Sequence, residues 1–509
     1  MIPKLTFINH ASYMVESTNS ILIVDPYIEG LAFDNSWALL DKSTSNKEIV
    51  EKLTTKNKNI FIWYSHEHSD HFSVSFINAL KKMKVDVTVL FQKTKDQRVI
   101  SFTKKLGFKV IESNNKAQKI DSNMFNVVWP YGRHDSYSLL KIEDISILNI
   151  NDCMIRSKSD VRKVKDNIFK YTDEIDILFT QFGYANWIGN KENKIIRKNA
   201  ARHKLERITL QAKFLNPKSI VPFASFVYFC HKDNFYLNDE QNNTVSLRQN
   251  KSLKKYSNKI YFMKPSDSIN LIKNKISSSL NNNSFNAEMH WENSYKKRKI
   301  IDTDEENYSL QDLNNSFSIY RRKLMINFLF SVPFFQWLGF MLPINVRVKD
   351  HQQTYLLSYF NNELVKLDKN NQKYDICLTS AVLKYIFKFE YGFDSTWVNG
   401  KFSIQHNEGL TKVKRFFKPQ DYMRRGRGLK RPLYSVIVLI KGLLLKENSR
   451  HIRRTFILSA KYVKRTFILS AKYVKRTFIR LVKYVKRTFI RLVKYVKQAY
   501  SITVKKIVS

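Results

Sequence analysis

Seven residues, Ser65-His66-Glu67-His68-Ser69-Asp70-His71, constrain this chain more than any other stretch. They place three imidazoles and two carboxylates directly after the apolar run Ile60-Phe61-Ile62-Trp63-Tyr64. A run of that composition reads as a buried strand. A strand that ends in His-x-His-x-Asp-His delivers several ligands to one rim of a sheet. Neutral imidazole nitrogens and carboxylate oxygens are what a borderline cation such as Zn²⁺ binds. The chain has 11 histidines in 509 residues, so three within six positions point to a metal site rather than to a polar loop with chance histidines.

The cluster needs further ligands. His66 and His68 alternate across an extended segment, and Asp70 and His71 follow at the turn, a spacing that suits two neighbouring ions. Three residues elsewhere are candidates. His134 lies in a loop after the strand-like run that ends at Trp129. Asp152 follows Ile147-Leu148-Asn149-Ile150-Asn151, where a strand ends. His231 follows the apolar stretch 221–230.

Composition sets the frame. Hydrophobic residues make up 43%, so the chain is globular, and its length suits two or three domains. Three widely spaced cysteines, Cys153, Cys230 and Cys377, argue against a disulfide framework and for a reducing compartment. The start, Met1 to Leu5, lacks a basic segment followed by an apolar one, so no secretory signal is expected. The expected location is cytoplasmic, peripheral on the inner face of the membrane.

Three segments are expected. Residues 1–265 alternate short β-type runs with helical stretches over 73–83 and 97–106, which predicts two layers of sheet flanked by helices. Asn- and Ser-rich stretches at 239–250 and 277–286 read as loops or linkers. Residues 266–430 form an accessory domain. Its apolar stretch Met325 to Ile344 is broken by Asn327, Pro333, Gln336 and Pro343. A spanning helix needs about 20 predominantly apolar residues, and two prolines oppose one straight helix. A buried or interfacial segment is therefore expected.

Residues 431–509 form a basic tail. The unit Arg454-Thr455-Phe456-Ile457-Leu458-Ser459-Ala460-Lys461-Tyr462-Val463-Lys464 recurs from Arg465, Arg476 and Arg487, with Arg-Leu-Val replacing Leu-Ser-Ala in the last two. Eleven residues are close to three helical turns, so the repeats superimpose. Phe456, Ala460 and Val463 fall on one arc, and Arg454, Lys461 and Lys464 on the other side, making a cationic amphipathic helix. The net charge is +43, and from Asn448 to Ser509 there are 18 Lys and Arg with no acid. A coiled coil uses both charge signs at its flanks, so an anionic membrane surface is the expected partner of the tail. Nucleic acid is disfavoured, and the oligomeric state is open.

The His-x-His-x-Asp-His signature followed by His, Asp and His resembles the metallo-β-lactamase superfamily over about the first 235 residues. The resemblance implies an α/β fold, an αββα sandwich, here with a second α+β domain and the repeat helix. It implies two divalent metal ions, Zn²⁺ by default with Fe or Mn fitting the same ligands. By that likeness His66, His68 and His134 hold one ion, Asp70, His71 and His231 the other, and Asp152 bridges. Asp25, in Ile23-Val24-Asp25-Pro26, resembles the upstream Asp that orients the ligand loop. His10-Ala11-Ser12 resembles a stretch of the branch that holds the ascorbate-phosphate lactonase, N-acyl-phosphatidylethanolamine phospholipase D and CMP-sialic acid hydroxylase types. Gly392-Phe393-Asp394 and Gly400-Lys401-Phe402 look most like the hydroxylase. That type carries a Rieske module, which needs two Cys and two His. No such pattern exists here.

These readings give a dinuclear metal-dependent hydrolase of a phosphoester, lactone or related bond in a small molecule, lipid or glycan. Two cations bring a bridging water toward hydroxide at neutral pH, and Asp70 orients it while it ligates. His10, Tyr184, Asn186 and Trp187 are weak substrate-binding candidates. One alternative is an oxygenase-like protein acting on a nucleotide sugar with a separate electron donor. Another is a membrane-associated scaffold in surface-polysaccharide assembly.

Overall fold

Alternation along the strand Ser20–Val24 sets the layering. Ile21 and Ile23 pack in one buried cluster with Ile49, Phe76, Leu80 and Ile100. Leu22 and Val24 pack in another with Leu139, Ile147 and Leu178. Successive strand residues face opposite sides. One face therefore meets helices, and the other meets a second sheet. The computed structural model describes residues 1–426 apart from 133, 329–330, 338 and 369–372.

The first sheet has seven strands, in the order Ser268–Asn270, Lys4–Asn9, Ser12–Glu16, Ser20–Val24, Asn59–Tyr64, Thr88–Gln92 and Lys109–Ser113. The second has six, in the order Ser219–Phe223, Ile177–Gln181, Ile145–Asn151, Asp135–Ile142, Met124–Tyr131 and Ala117–Lys119. The helices Asn46–Thr54, Val74–Lys82 and Arg98–Lys105 cover the outside of the first sheet. Lys158–Ile168 and Lys194–Leu215 contribute Val161, Val164, Leu205 and Ile208 to the core of the second. This is the αββα sandwich that the sequence predicted.

The sandwich draws on residues beyond 265. Ser268–Asn270 pairs with Lys4–Asn9 at the sheet edge. The stretch 277–286, expected as a loop, lies inside the helix Ile276–Lys296. Its Asn and Ser residues lie mostly on the outer face, while Ile276, Leu280, Ala287, Trp291 and Tyr295 sit in the main core. Trp291 stacks on Phe226 with ring centroids 3.8 Å apart. Full burial of one such side chain contributes about 1.5–3 kcal/mol. An Asn or Ser in a helix costs at most about 0.7 kcal/mol. Burial wins.

The accessory domain holds a five-stranded sheet, Val365–Lys366, Gln353–Leu357, Ile344–Val348, Ile376–Leu378 and Ser403–Ile404. Asn407–Phe416 packs against it, and Leu310–Asn327, Ser380–Lys388, Gly392–Asn399 and Lys418–Arg424 pack on one another. A Cβ at Gly392 would lie 2.6 Å from the Tyr385 carbonyl oxygen. Only glycine lets these two helices approach so closely, and that approach sets Asp394. The stretch 325–344 splits into the end of one helix, a short helix Ser331–Trp337 and the start of a strand. Among the described residues no helix is long and apolar enough to cross a membrane. The tail repeats lie outside the described residues.

Candidate metal centre

The ligand loop joins the strand Asn59–Tyr64 to the helix Val74–Lys82, whose cap Ser73 accepts the Phe76 N–H. A tight turn closes it, with the N–H groups of His71 and Phe72 both donating to the His68 carbonyl, at 3.0 and 2.7 Å. Asp25 stands behind the loop at the end of the neighbouring strand, fully buried. Its Oδ1 accepts the Ser65 N–H at 2.7 Å. Its Oδ2 accepts the Ser65 hydroxyl at 2.6 Å, the His71 Nδ1–H at 2.9 Å and the Asn151 amide.

Proton placement follows from these bonds. A carboxylate only accepts, so His71 carries its proton on Nδ1 and turns a lone pair out on Nε2. The Ser65 hydroxyl has spent its proton on Asp25, so His66 Nδ1, 2.9 Å away, donates to it. His66 Nε2 is then also a lone pair. One carboxylate thus fixes two imidazoles, His71 directly and His66 through Ser65.

The His71 lone pair faces carboxylates from the two sheets, while His66 Nε2 meets His68 Nδ1 at 2.9 Å. His71 Nε2 lies 3.4 Å from Asp70 Oδ2 and 3.6 Å from Asp152 Oδ2. His10 Nε2 lies 3.4 Å from the same Asp70 oxygen. Two trios have ligand atoms mutually within 4.8 Å: His10, Asp70 and His71, and His66, His71 and Asp152. Both His10 ring nitrogens, His71 Nε2 and Asp70 Oδ1 are buried without a hydrogen-bond partner. Buried polar atoms are normally paired. The separations are longer than good hydrogen bonds. They match the edge of a tetrahedron with metal–ligand bonds of about 2.0–2.1 Å, which is about 3.3–3.4 Å. The donor set fits a divalent cation.

The local charges agree with that fit. Burial, with His71 and His68 nearby, holds the His66 pKa well below its usual value, so His66 stays neutral. Burial alone would raise Asp70, but His71 and His10 outweigh it and keep the carboxylate ionised. Burial alone would depress His71, but Asp70, Asp152 and Asp25 together raise it well above the usual value. A proton and a cation therefore compete for its Nε2.

Not every expected ligand converges. His68 Nδ1 lies 2.9 Å from His66 Nε2, but its other nitrogen faces Asp394 Oδ2 at 3.5 Å. His134 does not complete that group, because its Nε2 accepts a hydrogen bond from Arg424 Nη2 at 2.9 Å. Burial and this guanidinium push His134 down to about 2, so it is a neutral acceptor. Arg424 also binds Asp394 at 2.9 Å and Glu67 at 2.8 Å. The His66–His68–His134 site is thus held by an ion network from the accessory domain. His231 is turned away as well. Its Nδ1 accepts the Asp233 N–H at 3.1 Å, so its Nε2 carries the proton, and that proton points at Glu305 Oε1, 3.3 Å away. His10, not His231, lies beside Asp70 and His71.

Of the weak substrate-binding candidates, Tyr184 and Trp187 serve packing. Tyr184 is buried and donates to the Leu237 carbonyl. Trp187 stacks on Phe402 and meets Trp397 edge-on, and its backbone N–H donates to the Trp397 carbonyl at 3.0 Å. Neither they nor Asn186 line the cavity of about 400 Å³ beside His68. That cavity is bounded by Phe33, Arg98, Phe102, Tyr391, Asp394 and Arg424. Sequence reasoning missed Glu67, Gln181, Glu305, Asp394 and Arg424 as site residues. Asp394 lay inside a motif already noted; Arg424 carried no signal.

Two sheets face to face, a His-x-His-x-Asp-His loop at a strand end, and Asp25 and Asp152 at adjoining strand ends define a protein of the metallo-β-lactamase fold. In sequence the chain is similar to the cytidine monophosphate-N-acetylneuraminic acid hydroxylases. It is 22% identical to that of Danio rerio over 277 residues, 49% of this chain and 43% of that protein. It is 23% identical to that of Xenopus laevis over 250 residues, 46% of this chain and 40% of that protein. The aligned stretch spans less than half the length of these curated relatives. No family model matches the chain. A solved structure of a possible metal-dependent hydrolase from Veillonella parvula superposes with a TM-score of 0.38 at 14% identity, covering 53% of this chain and 100% of that one.

Proposed function

We propose that this chain is a divalent-metal-dependent hydrolase acting on a phosphoester, lactone or related bond. One observation carries the reading: His10 Nε2 and His71 Nε2, buried and without a hydrogen-bond partner, converge with carboxylate oxygens of Asp70 and Asp152, one from each sheet, His10 3.4 Å from Asp70 and His71 3.4 and 3.6 Å from Asp70 and Asp152. When bound, a divalent cation there supplies a Lewis acid and lowers the pKa of a coordinated water toward neutrality. The rest is done by the chain. Asp25 and Ser65 fix the His71 and His66 tautomers. Asp70 Oδ1 has no partner and is free to orient an attacking water. Lys204 bonds Gln181, which in turn donates to Asp152 Oδ1 at 2.9 Å. Burial and Arg207 bring Lys204 down to about 7, where it can give a proton to a leaving group at neutral pH.

The cavity beside His68 is the substrate site in this reading. Phe33, Phe102 and Tyr391 suit an apolar or ring portion, and Arg98, paired with Glu67 and Asp96, stands at the wall. With Arg424 on His134, the donors in place suit one ion; a second requires Arg424 to withdraw. The similarity to the hydroxylases favours a second reading, an oxygenase-like reaction on a nucleotide sugar with electrons from a separate protein.

The test combines elemental analysis of the purified protein with a panel of phosphodiester, lactone and nucleotide-sugar substrates. Metal-dependent hydrolysis lost in Asp70→Asn supports the hydrolase. Oxygen uptake with a reductase present, and no hydrolysis, would support the second reading instead.

A further inference from the structure

We propose that His10 is a direct metal ligand through Nε2, completing with Asp70 and His71 the shell that His231 leaves open. The inference rests on the metal reading above but does not follow from it. Four observations carry it.

His10 is 1% exposed, and neither ring nitrogen has a hydrogen-bond partner. A histidine packed only for shape leaves Nδ1 desolvated and unpaired, and Nε2 with only the Asp70 carboxylate, beyond good hydrogen-bond length, both of which are costly. A cation at Nε2 removes that cost for the second. Next, Nε2 stands 3.4 Å from Asp70 Oδ2, the same separation that His71 Nε2 shows on its other side. All three ligand atoms lie within 4.8 Å of one another. Asp70 is thus shared between two imidazoles in equivalent positions.

The backbone at His10 is unusual too. It sits at φ 36°, in the left-handed region that side chains other than glycine rarely adopt. The surroundings hold it there: its N–H donates to Asn9 Oδ1 at 2.9 Å, and its carbonyl accepts the Ala224 N–H at 2.8 Å. Strained positions held by their neighbours cluster at functional sites. The strain here serves to aim the ring between Tyr27 and His71, whose centroids lie 6.3 and 5.8 Å away. Lastly, His231 is committed elsewhere, its Nε2 proton directed at Glu305.

The experiment measures Co²⁺ and Zn²⁺ binding to the full chain and to His10→Ala, His231→Ala and His10→Cys. His10→Ala is expected to bind at least about 100-fold more weakly, the upper end of what loss of an outer partner costs. Its Co²⁺ visible spectrum should change shape. His231→Ala should keep both the affinity and the spectrum. In His10→Cys a thiolate replaces the imidazole, and the Co²⁺ form should show a sulfur-to-cobalt charge-transfer band in the near ultraviolet. Only direct coordination gives that band. Wild-type protein that binds neither ion sinks the metal reading itself. Wild-type binding with affinity and Co²⁺ spectrum unaltered in His10→Ala, or in His10→Asn should the alanine variant not fold, overturns the role of His10 and leaves the metal reading standing.

Discussion

Asp25 shows how one residue can set the state of a whole site. It is not within the ligand trios, yet it fixes two imidazoles and the first peptide of the loop. In Asp25→Asn an amide replaces the carboxylate oxygen that accepts from His71, and asparagine tolerates the φ of 39° found there. The fold should survive while metal affinity falls by about 10–100-fold, measured by competition with a chromogenic chelator. An unchanged affinity would show that the His71 tautomer is set by something else. Lys204 makes a second prediction at this scale. With its pKa brought down to about 7, it is protonated below that pH and loses its proton above. A general acid of this kind makes the rate fall as pH rises through about 7. Lys204→Met should lower the rate at pH 6 and abolish that basic limb in a pH–rate profile.

At the scale of elements, the helix Lys418–Arg424 is what separates the observed centre from the expected one. It carries Arg424, 2% exposed, onto His134, Asp394 and Glu67. Removing the guanidinium leaves the neutral His134 with a free lone pair beside His66 and His68. Arg424→Ala should raise the metal content from one ion per chain toward two, read by elemental analysis after equilibration with Zn²⁺. An unchanged content would show that His134 does not join a site even when released. The same comparison explains what the sequence made legible. The strand Asn59–Tyr64, the helices near 74–82 and 98–105 and the cluster at 66–71 follow from local pattern: a β-branched run, an apolar face at helical period, a motif with its own chemistry. His134 and His231 were legible as histidines at strand ends. Their orientation was not, because it depends on Arg424 and Glu305, partners 290 and 74 positions away. Ile276–Lys296 was misread because an Asn/Ser-rich outer face hid a buried stripe whose partners lie in the first 270 residues.

Glu305 links His231 to Lys401, which precedes the strand Ser403–Ile404, and this contact is expected to depend on pH. It faces His231 at 3.3 Å and Lys401 Nζ at 2.9 Å, and Lys401 also binds Asp34. Burial alone would raise its pKa, but His231 and Lys401 bring it down to about 2. The sign follows from linkage. A depressed carboxylate pKa adds stability that is complete above the unfolded value near 4.5 and is lost as pH falls toward about 2. Glu305→Gln should therefore cost about 1–3 kcal/mol at pH 7. The gap from wild type in denaturant melts should narrow from pH 4.5 to pH 3. A gap that stays constant with pH would mean that Glu305 contributes through packing or neutral hydrogen bonds.

Charge is distributed unevenly over the whole chain, and that asymmetry carries the last prediction. The final 62 residues hold 18 Lys and Arg and no acid, and within them a unit of eleven residues recurs whose Phe, Ala and Val would share one arc of a helix. In isolation such a segment repels itself, and nothing in its own sequence neutralises it. Near an anionic surface each basic residue gains about 1 kcal/mol, and the apolar arc buries in the headgroup boundary. That gain falls with salt over a Debye length of about 8 Å at physiological ionic strength. A chain truncated after 448 should lose co-sedimentation with phosphatidylserine vesicles but keep its metal content and its turnover of a soluble substrate, because every residue of the centre precedes 425. The full chain should leave the vesicles as salt rises from 0.05 to 0.5 M. Truncated protein that still sediments would place the membrane contact, if there is one, on the body of the molecule, and salt-insensitive sedimentation would assign it to apolar burial alone.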